Sequence, residues 1–141
     1  MPKDLVNAGT VLGRIRPRRQ IEGISAVLLP FGDSGRPDYD ALAAIIARTA
    51  DAGLTPAVNM DTGYVDRLSP DQRAEVLRVT KDVLRDRSFV AGVFVEDREG
   101  DLIARYREGI EAVETLGGTP ILFQCSDLAA LPGPQVVTLY R

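Results

Sequence analysis

Asp61-Thr62-Gly63 lies between the apolar run GLTPAV and the segment LSPDQR, and it combines a carboxylate, a hydroxyl and a backbone free of side-chain bulk. Three kinds of chemistry fit such a triplet. In an all-β dimer its aspartate would share a proton with its symmetry mate, as in an aspartic protease. At a strand end, its hydroxyl and amides would contact a ligand, with Asn59 and Tyr64 beside them. As a plain turn, Asp, Thr and Gly are ordinary residues between two elements. A second acidic pair, Glu96-Asp97, follows the apolar run FVAGVFV. With Asp61 it would offer oxygen ligands to a hard cation such as magnesium, or each carboxylate would cap a helix N-terminus.

Other chemistry is excluded by composition. The chain has no histidine and one cysteine, Cys125, so an internal disulfide, a multi-cysteine zinc site, and Cys-His or Ser-His-Asp catalysis within the chain are ruled out. Cys125 itself reads either as a small buried apolar residue or as a thiol that a positive neighbour would activate. A net charge of −3 gives no overall attraction to nucleic acid. Four arginines cluster in GRIRPRRQ at 13–20, where the absence of interleaved aromatics favours a solvated or packed segment over a phosphate-binding arm. No apolar run approaches the ~20 residues of a membrane span, and MPKDLVNAGT lacks a signal-peptide core. A cytoplasmic protein without membrane partners is therefore expected.

The elements that must position these residues alternate. At 141 residues the chain has the size of one domain. ISAVLLP at 24–30 reads as a buried strand. Asp38 then caps a helix with Leu42, Ile45, Ile46 and Thr49 on one face and Gly53 as its stop. GLTPAVNM supplies a second strand, with Pro56 awkward inside it. Ser69, Pro70 and Gln72 form a capping box that starts a second helix, whose stripe is Val76, Leu77, Thr80, Val83 and Leu84. FVAGVFV at 89–95 is a third strand, with Gly92 where a neighbour approaches closely. A third helix presents Leu102, Ile103, Tyr106, Ile110 and Val113 on one face. TPILFQ is the fourth strand, followed by a loop and a last helix. GLTPAV is echoed by GGTPILF at 117–123. Four strand–helix units imply an α/β fold with a parallel sheet, whose ligands gather at the carboxyl ends of the strands. That edge carries Pro30-Phe31, the 59–65 loop, Glu96-Asp97 and Gln124-Cys125-Ser126.

The order AVLLPF, an aspartate opening the first helix, a Thr-Gly loop, LSPDQRAEVL and FVAGVFV resembles the N-terminal half of the dihydrodipicolinate synthase and N-acetylneuraminate lyase family over residues 22–124. The corresponding family features are a strand ending in Thr-Pro-Phe, a Gly-Thr-Thr-Gly-Glu loop, a Leu-Ser-x-x-Glu-Arg helix start and an Ile-Ala-Gly-Val strand. The resemblance implies a (β/α)₈ TIM barrel and a class I aldolase or lyase that joins a strand-six lysine to a 2-oxo acid, usually pyruvate, as a Schiff base. No cofactor is expected. Thr62 and Gly63 match the loop residues that contact the substrate carboxylate and relay protons, and Pro30 and Phe31 match the end of strand one. Met60-Asp61 stands in place of Gly-Thr, Tyr64 in place of Glu, and FQCS in place of Pro-x-Tyr, which implies a divergent branch.

Thr62 and Tyr64 are thus the candidate catalytic residues, and Pro30, Phe31, Asn59, Asp61, Thr62 and Gly63 the candidate substrate contacts. The family's tyrosine and lysine positions lie beyond this sequence. Lys3 falls in the terminal arm and Lys81 in mid-helix, and neither suits Schiff-base chemistry, which needs a desolvated amine facing the substrate. The expected organisation is an arm over 1–22 and a half-barrel over 23–141, without turnover on its own. Its two open sheet edges point either to a fragment of a longer chain or to self-association as a homo-oligomer, the latter as a non-catalytic half-barrel binding module.

Overall fold

The computed structural model describes residue 18 and residues 20–140. The expected arm over 1–22, with most of its arginines, therefore lies almost wholly outside the described residues.

Four strands form one parallel sheet in the order β1-β2-β3-β4: β1 Ile24–Ala26, β2 Thr55–Val58, β3 Phe89–Val93 and β4 Gly118–Leu122. Helices α1 Tyr39–Asp51, α2 Pro70–Leu84 and α3 Leu102–Thr115 alternate with them. Two short helices, α4 Ser126–Ala129 and α5 Gly133–Leu139, stand where one terminal helix was expected. The strands are also shorter than the apolar runs that signalled them, because the ends of those runs turn away into strand-end loops.

The helix starts follow from local chemistry. The Asp38 carboxylate accepts from the Ala41 amide at 2.9 Å, and that of Asp101 from the Ala104 amide at 2.9 Å. Before α2, the Ser69 hydroxyl accepts from the Gln72 amide while the Gln72 side chain accepts from the Ser69 amide, closing the capping box.

Register explains the prolines. The Thr55 amide donates to Gly23 and the Ala57 carbonyl accepts from Val27, so these two residues address β1. Pro56 then addresses β3, one position before the β2–β3 register begins at Ala57↔Val90, and no ladder bond is lost. In β4 the Phe123 amide donates to Val93, which turns the nitrogen of Pro120 toward the free edge.

Pairing also separates the two faces. Ser25, Val58, Phe89, Ala91, Val93 and Leu122 share the face under the helices, and all but Ser25 meet Leu42, Ile46, Val76, Leu77, Leu84, Tyr106 and Val113 in or against the main core. The opposite face carries Ile24, Leu28, Val90 and Ile121. Gly92 is required for close approach, since a Cβ there would run into the Asn59 carbonyl and the Phe123 ring.

One helix face differs from expectation. The buried seam of α3 is Arg105, Tyr106, Gly109 and Val113, and Ile103 is 49% exposed. Gly109 lets the helix lie against Val93, where a Cβ would clash, and this rotates Ile103 out of the core.

Candidate functional site

The carboxyl ends of β1 and β2 meet at one mouth. After β2 the chain turns at Asn59, which adopts φ 51°, and Asp61–Gly63 forms a single 3-10 turn. A second turn, Val65–Arg67, leads to Leu68 and the α2 cap. Tyr64 joins the two turns in the left-handed region at φ 55°, ψ 40°. For a bulky residue this conformation costs about 1–3 kcal/mol and has to be held by its surroundings. The Tyr64 ring meets Phe31 edge-on, with centroids 5.7 Å apart. Both rings are open to solvent, Phe31 at 42% and Tyr64 at 48% exposure. The Thr62 hydroxyl lies 3.5 Å from the Val27 carbonyl, a long contact that ties the loop to the β1 segment. Gly63 is buried and packs near Val27 and Leu29. Pro30 is half-buried, and its carbonyl accepts from Asp38, so the same segment sets the start of α1.

Of the expected substrate contacts, Pro30, Phe31, Thr62 and Gly63 come together at the mouth with the candidate catalytic Tyr64, and Asp61 sits beside them, exposed. Asn59 is buried behind the loop rather than in its open part. Its Nδ2 donates to the Arg73 carbonyl at 3.1 Å, and its Oδ1 is a buried acceptor with no protein partner.

The magnesium arrangement is not formed. Glu96 is engaged by the Ser126 amide at 2.7 Å and by the Ser126 hydroxyl, and Asp97 pairs with Arg73 at 2.5 Å. Among the described residues, no group of three or more His, Cys, Asp or Glu side chains is placed to hold a metal ion. Glu96 instead takes the helix-capping role, receiving the first amide of α4. Its hydrogen bonds from the Ser126 side chain, and then from the amide, hold its carboxyl below the usual range. The aspartic-protease reading falls with the fold, because the triplet is a turn in a parallel α/β sheet and not part of an all-β barrel.

Cys125 is buried at the α4 cap. Its neighbour Tyr106 donates to the Phe123 carbonyl at 2.6 Å, and burial, followed by the interaction with Cys125, pushes the Tyr106 hydroxyl well above its ordinary range. That phenol is a packed donor and stays protonated at neutral pH. Lys81 donates to the Arg85 carbonyl at 2.7 Å beyond the end of α2, away from the mouth.

The features least visible in the sequence are two buried arginines. Arg73 donates to the carbonyls of Val65 at 3.1 Å and Leu68 at 2.7 Å, pairs with Asp97, and lies 5.3 Å from the Phe94 ring centre. Arg105 donates to the carbonyls of Val95 at 3.3 Å and Arg98 at 2.8 Å and pairs with Asp127. A signal was present: each arginine stands four residues after its helix cap, with an aspartate beyond the following strand.

Comparison with known proteins agrees with this geometry. No protein-family model matches the chain. An uncharacterised DapA-like lyase from Pyrobaculum arsenaticum is 32% identical over 100 residues, which cover 67% of this chain and 33% of the relative. The chain thus spans about a third of the length of that relative. Among solved structures, dihydrodipicolinate synthase from Bacillus clausii superposes with a TM-score of 0.69 at 20% identity, over 84% of this chain and 40% of that one. YagE, a prophage protein of the dihydrodipicolinic acid synthase family from Escherichia coli K12 solved with pyruvate, gives a TM-score of 0.69 at 16% identity, over 84% and 39%. At these identities the structural likeness is one of fold, that of half a TIM barrel, and the sequence relationship comes from the lyase. Over its four strand–helix units, the chain is a member of the dihydrodipicolinate synthase and N-acetylneuraminate lyase family, matching its N-terminal portion.

Proposed function

We propose that this chain supplies the carboxylate-binding portion of a 2-oxo acid lyase or aldolase site. The observation that carries the reading is the meeting of Pro30-Phe31 with Thr62-Gly63-Tyr64 at one mouth, under the edge contact of Phe31 and Tyr64. The Gly63 and Tyr64 amides, bonded to the carbonyls of Met60 and Asp61, hold the loop in shape, while the Thr62 hydroxyl, whose contact with the Val27 carbonyl is long at 3.5 Å, would turn to donate to the carboxylate of a pyruvate-like ligand. Tyr64 would stand over it as a proton donor. The Schiff-base lysine would come from a further strand–helix unit, because Lys81 is spent on the Arg85 carbonyl and lies away from this mouth.

Calorimetric titration with pyruvate, paired with borohydride reduction and mass spectrometry, tests the reading. The expected result is weak saturable binding that Thr62→Val removes, with no reduced adduct on either lysine. Absence of binding, or an adduct on Lys3 or Lys81, would overturn it.

A second reading, a self-associating half-barrel, rests on the open face. Ile24 of β1 and Leu28 just after it are each 60% exposed and Ile121 of β4 is 38% exposed, so both edges of the sheet present apolar side chains that further parallel units would cover. Light scattering decides whether a second copy provides that cover.

A further inference from the structure

We propose that Arg73 and Arg105 form a relay of positioning residues that makes three successive strand-end loops move as one. The two arginines occupy equivalent places. Each is the fourth residue of its helix, and its amide donates to the cap carbonyl, Ser69 for Arg73 and Asp101 for Arg105, at 3.0 Å in both cases. Each guanidinium spends one nitrogen on two carbonyls three residues apart in the loop before its helix. The second terminal nitrogen pairs with an aspartate in the loop after the next strand.

The turn Val95–Arg98 is the shared node. Its Asp97 carboxylate reaches back to Arg73, and its carbonyls at Val95 and Arg98 receive Arg105, which continues to Asp127. Glu96 of the same turn adds a parallel link to Ser126. A planar guanidinium supplies donors in a fixed fork, so displacing one of its partners displaces the others, where an ammonium on a flexible stem would absorb the change. Both arginine side chains are only 8% exposed, so water does not replace a lost partner without local opening. The run from the Thr62–Tyr64 loop through the node to the Cys125–Asp127 loop is then mechanically continuous. Where the mouth binds a ligand as proposed above, occupancy of the 59–68 loop would be felt at Ser126 and Asp127. The relay itself does not depend on that reading, and its test uses no ligand.

The experiment is hydrogen exchange by mass spectrometry, together with fluorine NMR of the fluorotyrosine-labelled chain, on Arg73→Lys, Asp97→Asn and the double variant. The relay predicts that Asp97→Asn, although its carboxylate is hydrogen-bonded to Arg73 and, among the described residues, to no residue of the 60–68 loop, speeds exchange there about tenfold. It also predicts that Asp97→Asn moves the Tyr64 resonance in the same direction as Arg73→Lys, and that the double variant adds nothing to Arg73→Lys alone. Tyr39 is the control resonance and stays in place. If Arg73→Lys fails to fold, Asp97→Asn carries the test. Exchange that rises equally across the whole chain, or only next to each replaced side chain, or effects that add in the double variant, would overturn the relay.

Discussion

The centre and the edges of the sheet obey different rules. All five residues of β3 are buried, and three of four in β2, whereas β1 and β4 alternate between covered and exposed positions. The same parallel pairing runs through all four, so the contrast arises from what lies on each face. At the centre the small residues Ala57, Val90 and Gly92 lie buried on the open face, and the helices seal the other side. At the edges Ile24, Leu28 and Ile121 stand up from the open face without cover among the described residues. Stability is therefore concentrated in β2, β3 and their helices, while the edges of the sheet hold surface suited to further units.

Substitution would sharpen that contrast most at Phe89, which is 1% exposed under α3. Phe89→Ala should cost about 3–5 kcal/mol, whereas Ile24→Ala should stay within about 0.5 kcal/mol, both read by urea unfolding. Equal costs would erase the distinction between centre and edge. Next comes Arg73, whose removal leaves two loop carbonyls and Asp97 without their donor. Arg73→Met should cost about 2–3 kcal/mol, below the usual figure for a fully buried pair because Asp97 is 36% exposed. Tyr64→Gly relieves the left-handed backbone but loses the ring contact with Phe31, so stability should change by less than about 1 kcal/mol. The same variant should lose most pyruvate affinity in calorimetry, separating the mouth from the core.

The smallest expected effect concerns pH. The Glu96 carboxyl is lowered in the folded chain, chiefly by the Ser126 side chain. Its contribution is therefore present above the ordinary carboxylate range and lost as pH falls through the folded value. Exchange in the Ser126–Ala129 segment should rise on acidification in the parent chain, and Glu96→Gln should show the faster rate already at neutral pH with a flatter pH dependence.

Much of this was legible in the sequence where one local rule decides the outcome. Ser69 and Gln72 fix the start of α2, Asp38 fixes that of α1, and the alternating apolar runs give the parallel order. Gly92 stood out because a glycine inside a strand marks close approach. The arginines were not legible in this way, since a charged residue in the first helical turn normally faces water. Only the carbonyls of Val65 and Leu68, brought under the helix by two turns, make Arg73 an interior residue. Ile103 misled for a related reason: helical periodicity names a face, but the fit of Gly109 against Val93 sets its rotation. At the mouth, the sequence named Pro30, Phe31, Thr62, Gly63 and Tyr64, yet the left-handed Tyr64 and the engagement of Glu96 and Asp97 elsewhere emerge only in three dimensions.

In the proposed function, the 59–65 loop with Pro30-Phe31 would hold the carboxylate of a 2-oxo acid. Amide NMR of the labelled chain titrated with pyruvate tests it most directly. Saturable shifts should be largest at Phe31, Thr62, Gly63 and Tyr64, with smaller ones along the arginine relay at Asp97, Ser126 and Asp127. Shifts centred elsewhere, or none at millimolar pyruvate, would contradict it.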